Sequence, residues 1–117
     1  MKNSPLKEKS YAFALRIVKL VRHIQSGRQE YILTKQLIRS GTSIGALIRE
    51  GEFGQSKADF ISKMSIALKE ANETDYWLSL LKDSDYLEAR EYESIAPDCR
   101  ELIAMLVSTV KTSKANR

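Results

Sequence analysis

The sequence predicts an all-α fold, an antiparallel up-down-up-down four-helix bundle, and three observations predict it. Four stretches of about 20 to 25 residues carry apolar side chains at spacings of three, four and seven, the mark of a helix with one buried face. Short turns join them, so each helix runs antiparallel to its predecessor. No stretch alternates apolar and polar residues strictly enough to compete as a strand.

A chain of 117 residues, 43% of them hydrophobic, can bury one core unaided, so residues 1–117 read as a single domain. The lone Cys99 excludes an internal disulfide. The opening MKNSPLKEKS has no apolar signal core, and together these place the chain in a reducing cytoplasm. The longest apolar run, Leu102 to Val107, is six residues, against the roughly 20 that a membrane span requires. No membrane contact is expected.

Net charge is +4, but unevenly spread: residues 1–69 hold 13 Lys/Arg and 5 Asp/Glu, and residues 70–117 hold 6 and 10. Such opposed halves either draw a polyanion to one surface or complement each other, within a subunit or between subunits.

The first helix starts with Ser4 as N-cap and Pro5 at the first helical position, where a missing N–H costs nothing, and stops near Gly27. Phe13, Ile17, Leu20 and Ile24 form its apolar row, widened by Ala14, Val18 and Val21. The opposite arc carries Lys9, Arg16, Lys19, Arg22 and His23 with only Glu8 as an acid, the most basic surface of the sequence. It is either a solvated helix face or a strip that touches phosphates.

The second helix runs from about Gln29 to Glu50 and ends at Gly51, a glycine placed to take a left-handed cap. Leu33, Leu37, Ile44, Leu47 and Ile48 make its stripe, interleaved with the small residues Ser40, Gly41, Ser43, Gly45 and Ala46. Each helical glycine costs about 1 kcal/mol relative to alanine, so a neighbouring backbone should come close here. The Gly41/Gly45 spacing fits close helix contact, and the flanking charges exclude a membrane use of it.

Glu52 to Gln55 form a tight turn, and Ser56 with Asp59 gives the S-x-x-D start of a third helix reaching about Lys82. Phe60, Met64, Ala67, Leu68, Ala71, Leu78 and Leu81 face the interior. A second row, Ile66, Trp77 and Leu80, lies roughly opposite, and an apolar row on the outer side points to self-association; the competing reading packs Trp77 and Leu80 on the chain that follows Asp83 to Asp85. The fourth helix spans about Glu88 to Thr112, with Pro97 expected to kink a continuous axis and a frayed basic tail after it.

Three segments then carry a resemblance: LIRSGTSIGALIREG, FISKMSIALKEANETDYWLSLL and the Leu/Ile-rich last helix. The chain resembles the small four-helix bundle proteins encoded by intervening sequences within bacterial 23S rRNA genes, a family similar to the accessory variability determinants of diversity-generating retroelements. The most specific parts are the R-S-x-x-S-I-x-x-x-x-x-E-G pattern, here Arg39, Ser40, Ser43, Ile44, Glu50 and Gly51, and the glutamate Glu73. Two stretches depart from the pattern: GALI at 45–48 stands for the more usual N-I-A, and Lys69-Glu70 for a small Gly-Ser pair. The resemblance implies a ring-like homo-oligomer, a pentamer, with a positively charged surface. In the retroelement branch it further implies a reverse transcriptase as partner and contact with nucleic acid.

Enzymatic chemistry finds little support in the residues. A di-metal bundle site needs two Glu-x-x-His motifs, and a structural zinc about four nitrogen or sulfur ligands; His23 and Cys99 are the whole supply, so no metal or other cofactor is expected. Ser40 and Ser43 lack a base, and are small packing residues instead. Arg39, Glu50 and Glu73 form a candidate arginine-carboxylate network that fixes register between helices. Two functions follow from different classes. One is a non-enzymatic, self-associating scaffold or adaptor touching RNA or DNA through Lys9, Arg16, Lys19, Arg22, Arg28 and Lys35, and partnering a nucleic-acid enzyme. The other is a purely protein-binding or structural oligomer whose basic arc only pairs with the acidic second half of a neighbour, with Arg39, Ser43, Glu50, Glu73, Ile66, Trp77 and Leu80 as the candidate interface or structural network.

Overall fold

Ser4 accepts a hydrogen bond from the Lys7 amide at 3.2 Å and Pro5 opens the first helix, α1 (Pro5–Arg28), so the capping signal acts where the sequence puts it. The computed structural model describes residues 4–116 and contains three further helices: α2 (Ile32–Glu52), α3 (Lys57–Asp83) and α4 (Ala89–Ala115). Each packs on its sequence neighbours, and α1 also meets α4, which closes an up-down-up-down bundle measuring 47 × 22 × 19 Å. The α2–α3 seam is the most extensive and the α1–α4 seam the least.

The core is one cluster running the length of the bundle. Phe13, Ile17, Val21 and Ile24 of α1 meet Leu37, Ile44 and Ile48 of α2, Met64, Leu78 and Leu81 of α3, and Leu102 and Leu106 of α4, all buried. The buried hydroxyls of Ser40 and Thr74 lie 3.0 Å apart across the α2–α3 seam, with the Leu37 and Glu70 carbonyls as further acceptors, so neither is stranded.

Four helix ends differ from the sequence expectation. The first helix runs through Gly27 to Arg28, and Gln29, not the glycine, takes the left-handed conformation at φ 57° with its amide on the Gln25 carbonyl at 3.0 Å. The second starts at Ile32. It also passes through Gly51, whose φ is not positive: this glycine is buried within the helix because a Cβ there would meet Met64 Cε at 3.0 Å and Lys63 Cβ at 3.1 Å. Its smallness serves the approach of α3, and no left-handed cap is formed. The last helix continues unbroken through the exposed Pro97, as expected, but runs on to Ala115, into the tail expected to fray.

Between α3 and α4, the amides of Tyr86 and Leu87 both reach the Leu81 carbonyl, at 2.9 and 3.1 Å, and Asp85 takes a left-handed φ of 69°. Glu88 and Glu91 then form a reciprocal capping box at the start of α4.

Candidate functional site

The basic arc of α1 divides into two parts. Lys9 Nζ lies 3.2 Å from Glu101 Oε1, Arg16 Nη1 lies 2.6 Å from Asp98 Oδ2, and His23 Nε2 lies 3.4 Å from Glu91 Oε2. These residues stand seven apart on α1, so they share one stripe, and their partners descend α4 in the antiparallel sense. Arg16 also donates to the Ser94 carbonyl at 3.1 Å and to the Ser94 hydroxyl at 2.7 Å. The acidic second half of the chain thus neutralises the upper stripe within the subunit.

Lys19, Arg22, Arg28 and Lys35 are different. All four are exposed, and among the described residues none forms an ion pair. They occupy the last three turns of α1 and the first turn of α2, which meet at one end of the bundle. The only acid in the intervening sequence is Glu30, and its charge is engaged by the helix start. Its carboxylate accepts the amides of Ile32, Leu33 and Thr34 at 3.0, 2.9 and 2.9 Å, three donors that have no partner inside α2. Burial pushes the Glu30 carboxyl up, but those three amides with the Thr34 side chain outweigh it and hold it below its ordinary value. Thr34 in turn donates to the Glu30 carbonyl at 2.8 Å and accepts from Gln25 Nε2 at 3.1 Å, which ties α2 to α1 across the turn.

Arg39, Glu50 and Glu73 do not form one network. Arg39 pairs with Glu73, with Glu70 Oε1 3.6 Å away, and the Trp77 indole N–H donates to Glu73 Oε2 at 3.3 Å. Glu50 stands three turns along α2 and meets Lys63 Nζ at 3.5 Å instead, a distance along the helix that no arginine side chain spans. Ser43 donates to the Arg39 carbonyl at 2.5 Å, within its own helix. Sequence reasoning left Glu70, the residue departing from the family pattern, out of this network, although its spacing of three from Glu73 puts both carboxylates on one face. Trp77 is partly buried against the core of its own subunit and stacks edge-on to Tyr76, with ring centroids 5.0 Å apart; Leu80 is also half-covered. Of the second α3 row only Ile66 is exposed, and Tyr76 is exposed beside it on the helix.

Two larger grooves open on the surface, besides a small one of about 70 Å³ lined by Arg28, Tyr86, Glu88 and Glu91. One of about 690 Å³ lies between α1 and α2, floored by Ser10, Ala14, Gly45 and Ala46 and flanked by Tyr11 and Arg49. The other, about 520 Å³, follows the loosely packed α1–α4 seam beside Lys19, His23 and Arg90 over Leu20 and Ile95. Neither contains a nucleophile paired with a base. Among the described residues no three His, Cys, Asp or Glu side chains gather to hold a metal. Cys99 is buried; desolvation and the nearby Asp75 push its thiol up to about 12, and it donates to the Ala71 carbonyl at 3.4 Å. Among the described residues no helix is long and apolar enough to cross a membrane.

Comparison with known proteins turns on one match: the model of the 23S rRNA-intervening sequence protein family covers residues 2–108. The chain belongs to that family. It is also similar to a crystal structure, at 1.70 Å resolution, of a protein of unknown function from the S23 ribosomal protein family of Bacteroides thetaiotaomicron VPI-5482: 52% identity, 91% of this chain and 98% of that one covered, TM-score 0.89. No curated protein matches. In this member of the 23S rRNA-intervening sequence protein family the signature residues mostly build the α2–α3 seam. Arg39 pairs with α3, Ser40 bonds Thr74, Ile44 is fully buried, Glu50 meets Lys63, and Gly51 admits Met64. That motif encodes the fold. Lys19, Arg22, Arg28 and Lys35 lie outside it.

Proposed function

We propose that the chain is a non-enzymatic, self-associating four-helix scaffold that holds RNA or DNA at the α1–α2 end of the bundle and presents it to a partner such as a reverse transcriptase. The observation that carries this reading is the split of the basic arc. Lys9 and Arg16 are occupied by α4, while Lys19, Arg22, Arg28 and Lys35 are exposed and form no ion pair among the described residues. Four such cations toward one end make an electrostatic footprint for a phosphate backbone. Self-association is supported by apolar side chains left in solvent, Tyr11, Leu15 and Phe53 around the α1–α2 groove and Ile66 and Tyr76 on α3, with a pentameric ring as the expected form.

Two measurements test it. Light scattering should give a molar mass several times that of one chain, and retention on nucleic acid should weaken steeply as salt is added. A monomer by mass, or binding indifferent to salt, refutes the corresponding half.

A second reading, a purely protein-binding oligomer, is favoured by the α1–α2 groove itself. Its floor of small residues between Tyr11 and Arg49 has the size of a site for an apolar ligand or helix face. Assembly without any salt-sensitive nucleic-acid binding would select it.

A further inference from the structure

We propose that the α1–α2 turn is a stacking platform for unpaired bases, with Tyr31 taking a base and Arg22, Arg28 and Lys35 taking the flanking phosphates, so that the nucleic acid held there is single-stranded. The inference deepens the nucleic-acid reading above and rests on it.

Two large apolar side chains stand out at this tip: Tyr31 is 57% exposed and Ile32 78%, the latter the most exposed large hydrophobic among the described residues. A bundle with a full core has no packing use for either. Tyr31 forms no side-chain hydrogen bond and no ring contact among the described residues, so its face is free. Its neighbours are cations: Arg28 ends α1, and Lys35, four residues on, shares its side of α2. Of the other exposed aromatics, Tyr11 lines the α1–α2 groove among Lys7, Glu8 and Arg49, far along α1 from this turn, and the remaining two lack such a setting. Tyr76 leans edge-on to Trp77 and directly follows Asp75, and Phe53 already has Lys7 Nζ 5.8 Å from its ring centroid.

The turn is also held still. Gln29 closes α1 in a left-handed conformation, Glu30 takes three α2 amides, and the Gln25–Thr34 bond spans the two helices. The Glu30 carboxylate is therefore turned into the helix start and away from Tyr31, while Glu88 and Glu91 of the adjoining α3–α4 end share a small groove with Arg28 but form no ion pair with it. A ring fixed on a rigid turn loses little freedom on binding. Phosphate-binding cations alone do not distinguish strands from duplexes, but an aromatic face does, because a duplex keeps its base faces in its own stack.

Anisotropy titrations of the full chain with a fluorescein-labelled thymidine oligonucleotide, and with the same strand annealed to its complement, test the proposal. The single strand should bind more tightly. Tyr31→Ala should weaken it by about 5- to 100-fold, Tyr31→Phe should hold within about twofold, and duplex binding should not respond to either. Loss on Arg28→Ala and Lys35→Ala with no effect of Tyr31→Ala would leave the nucleic-acid reading standing and overturn the platform. A Tyr31→Ala chain with unchanged affinity but lower molar mass by light scattering would assign the tip to contact between copies, which also overturns it. No salt-sensitive binding of either form refutes both readings together. Far-ultraviolet circular dichroism with an unchanged melting temperature confirms that an exposed substitution left the bundle intact.

Discussion

Alanine substitution at Gly41 and Gly45 should have opposite effects, although the sequence presents the two as one GxxxG pair. An alanine in a helix interior gains about 1 kcal/mol over glycine at either position. At Gly45 the new Cβ would lie 3.4 Å from Ser10 Oγ and 3.5 Å from the Ser10 carbonyl oxygen, ordinary contact distances, so the full gain should appear as added stability. At Gly41 it would lie 2.9 Å from Ile17 Cγ2 and 3.0 Å from Ile17 Cγ1, and Ile17 is wholly buried and β-branched, with no room to yield. Overpacking of this kind costs about 1–3 kcal/mol. The propensity gain is common to both variants, so the gap between them isolates the clash. Urea denaturation followed by circular dichroism should place Gly45→Ala above the parent and Gly41→Ala below Gly45→Ala by about 1–3 kcal/mol, or several degrees in melting temperature. Combining Ile17→Ala with Gly41→Ala should destabilise by less than the sum of the two single variants, with a coupling of about 1–3 kcal/mol. Equal stabilisation by both alanines would show that α1 and α2 do not approach at Gly41, and the packing account of this seam would fall.

Glu30→Gln should cost about 1 kcal/mol, as loss of a charged helix cap does, and the difference should depend on pH. The folded carboxyl lies below its ordinary value of 4.5, so its contribution is full above that value and disappears as pH falls through the lower folded one; the parent and variant stability curves should converge in acid. Cys99, with its thiol raised to about 12 and sealed by α3, should resist a thiol-specific disulfide reagent at neutral pH until the chain is unfolded by denaturant. Rapid labelling of the native chain would contradict that. Arg39→Ala strands Glu70 and Glu73 at the α2–α3 seam. Because the Arg39 side chain is half exposed, the loss should be about 1 kcal/mol, read as a lower melting temperature or an altered size-exclusion profile.

The fold was legible because its signals are local. Ser4-Pro5 and Ser56-x-x-Asp59 start helices by hydrogen bonds between residues three apart, and the apolar rows need only helical geometry. Less legible were features whose partner is distant in sequence. Nothing near Arg16 announces Asp98 and Ser94, so a basic face read as continuous turns out to be half spent on α4. Gly51 followed the rule for a helix stop, yet the α3 side chains stacked against it decide its role. Glu30 was passed over because it lies one residue before the N-cap, where its long side chain reaches back into the helix that follows. Trp77 was visible as apolar and outward of the main row, but its indole N–H and Glu73 turn it toward its own subunit.

The account rests on four free cations at the α1–α2 end, and the salt dependence of oligonucleotide binding measures their number. For a single strand, contact through Lys19, Arg22, Arg28 and Lys35 predicts a slope of log affinity against log salt of about −3 per chain. Replacing those four by alanine should bring the slope near zero, while replacing Lys9 and Arg16 should leave it unchanged. A parent slope near zero, or one abolished by the Lys9 and Arg16 pair alone, would contradict the assignment.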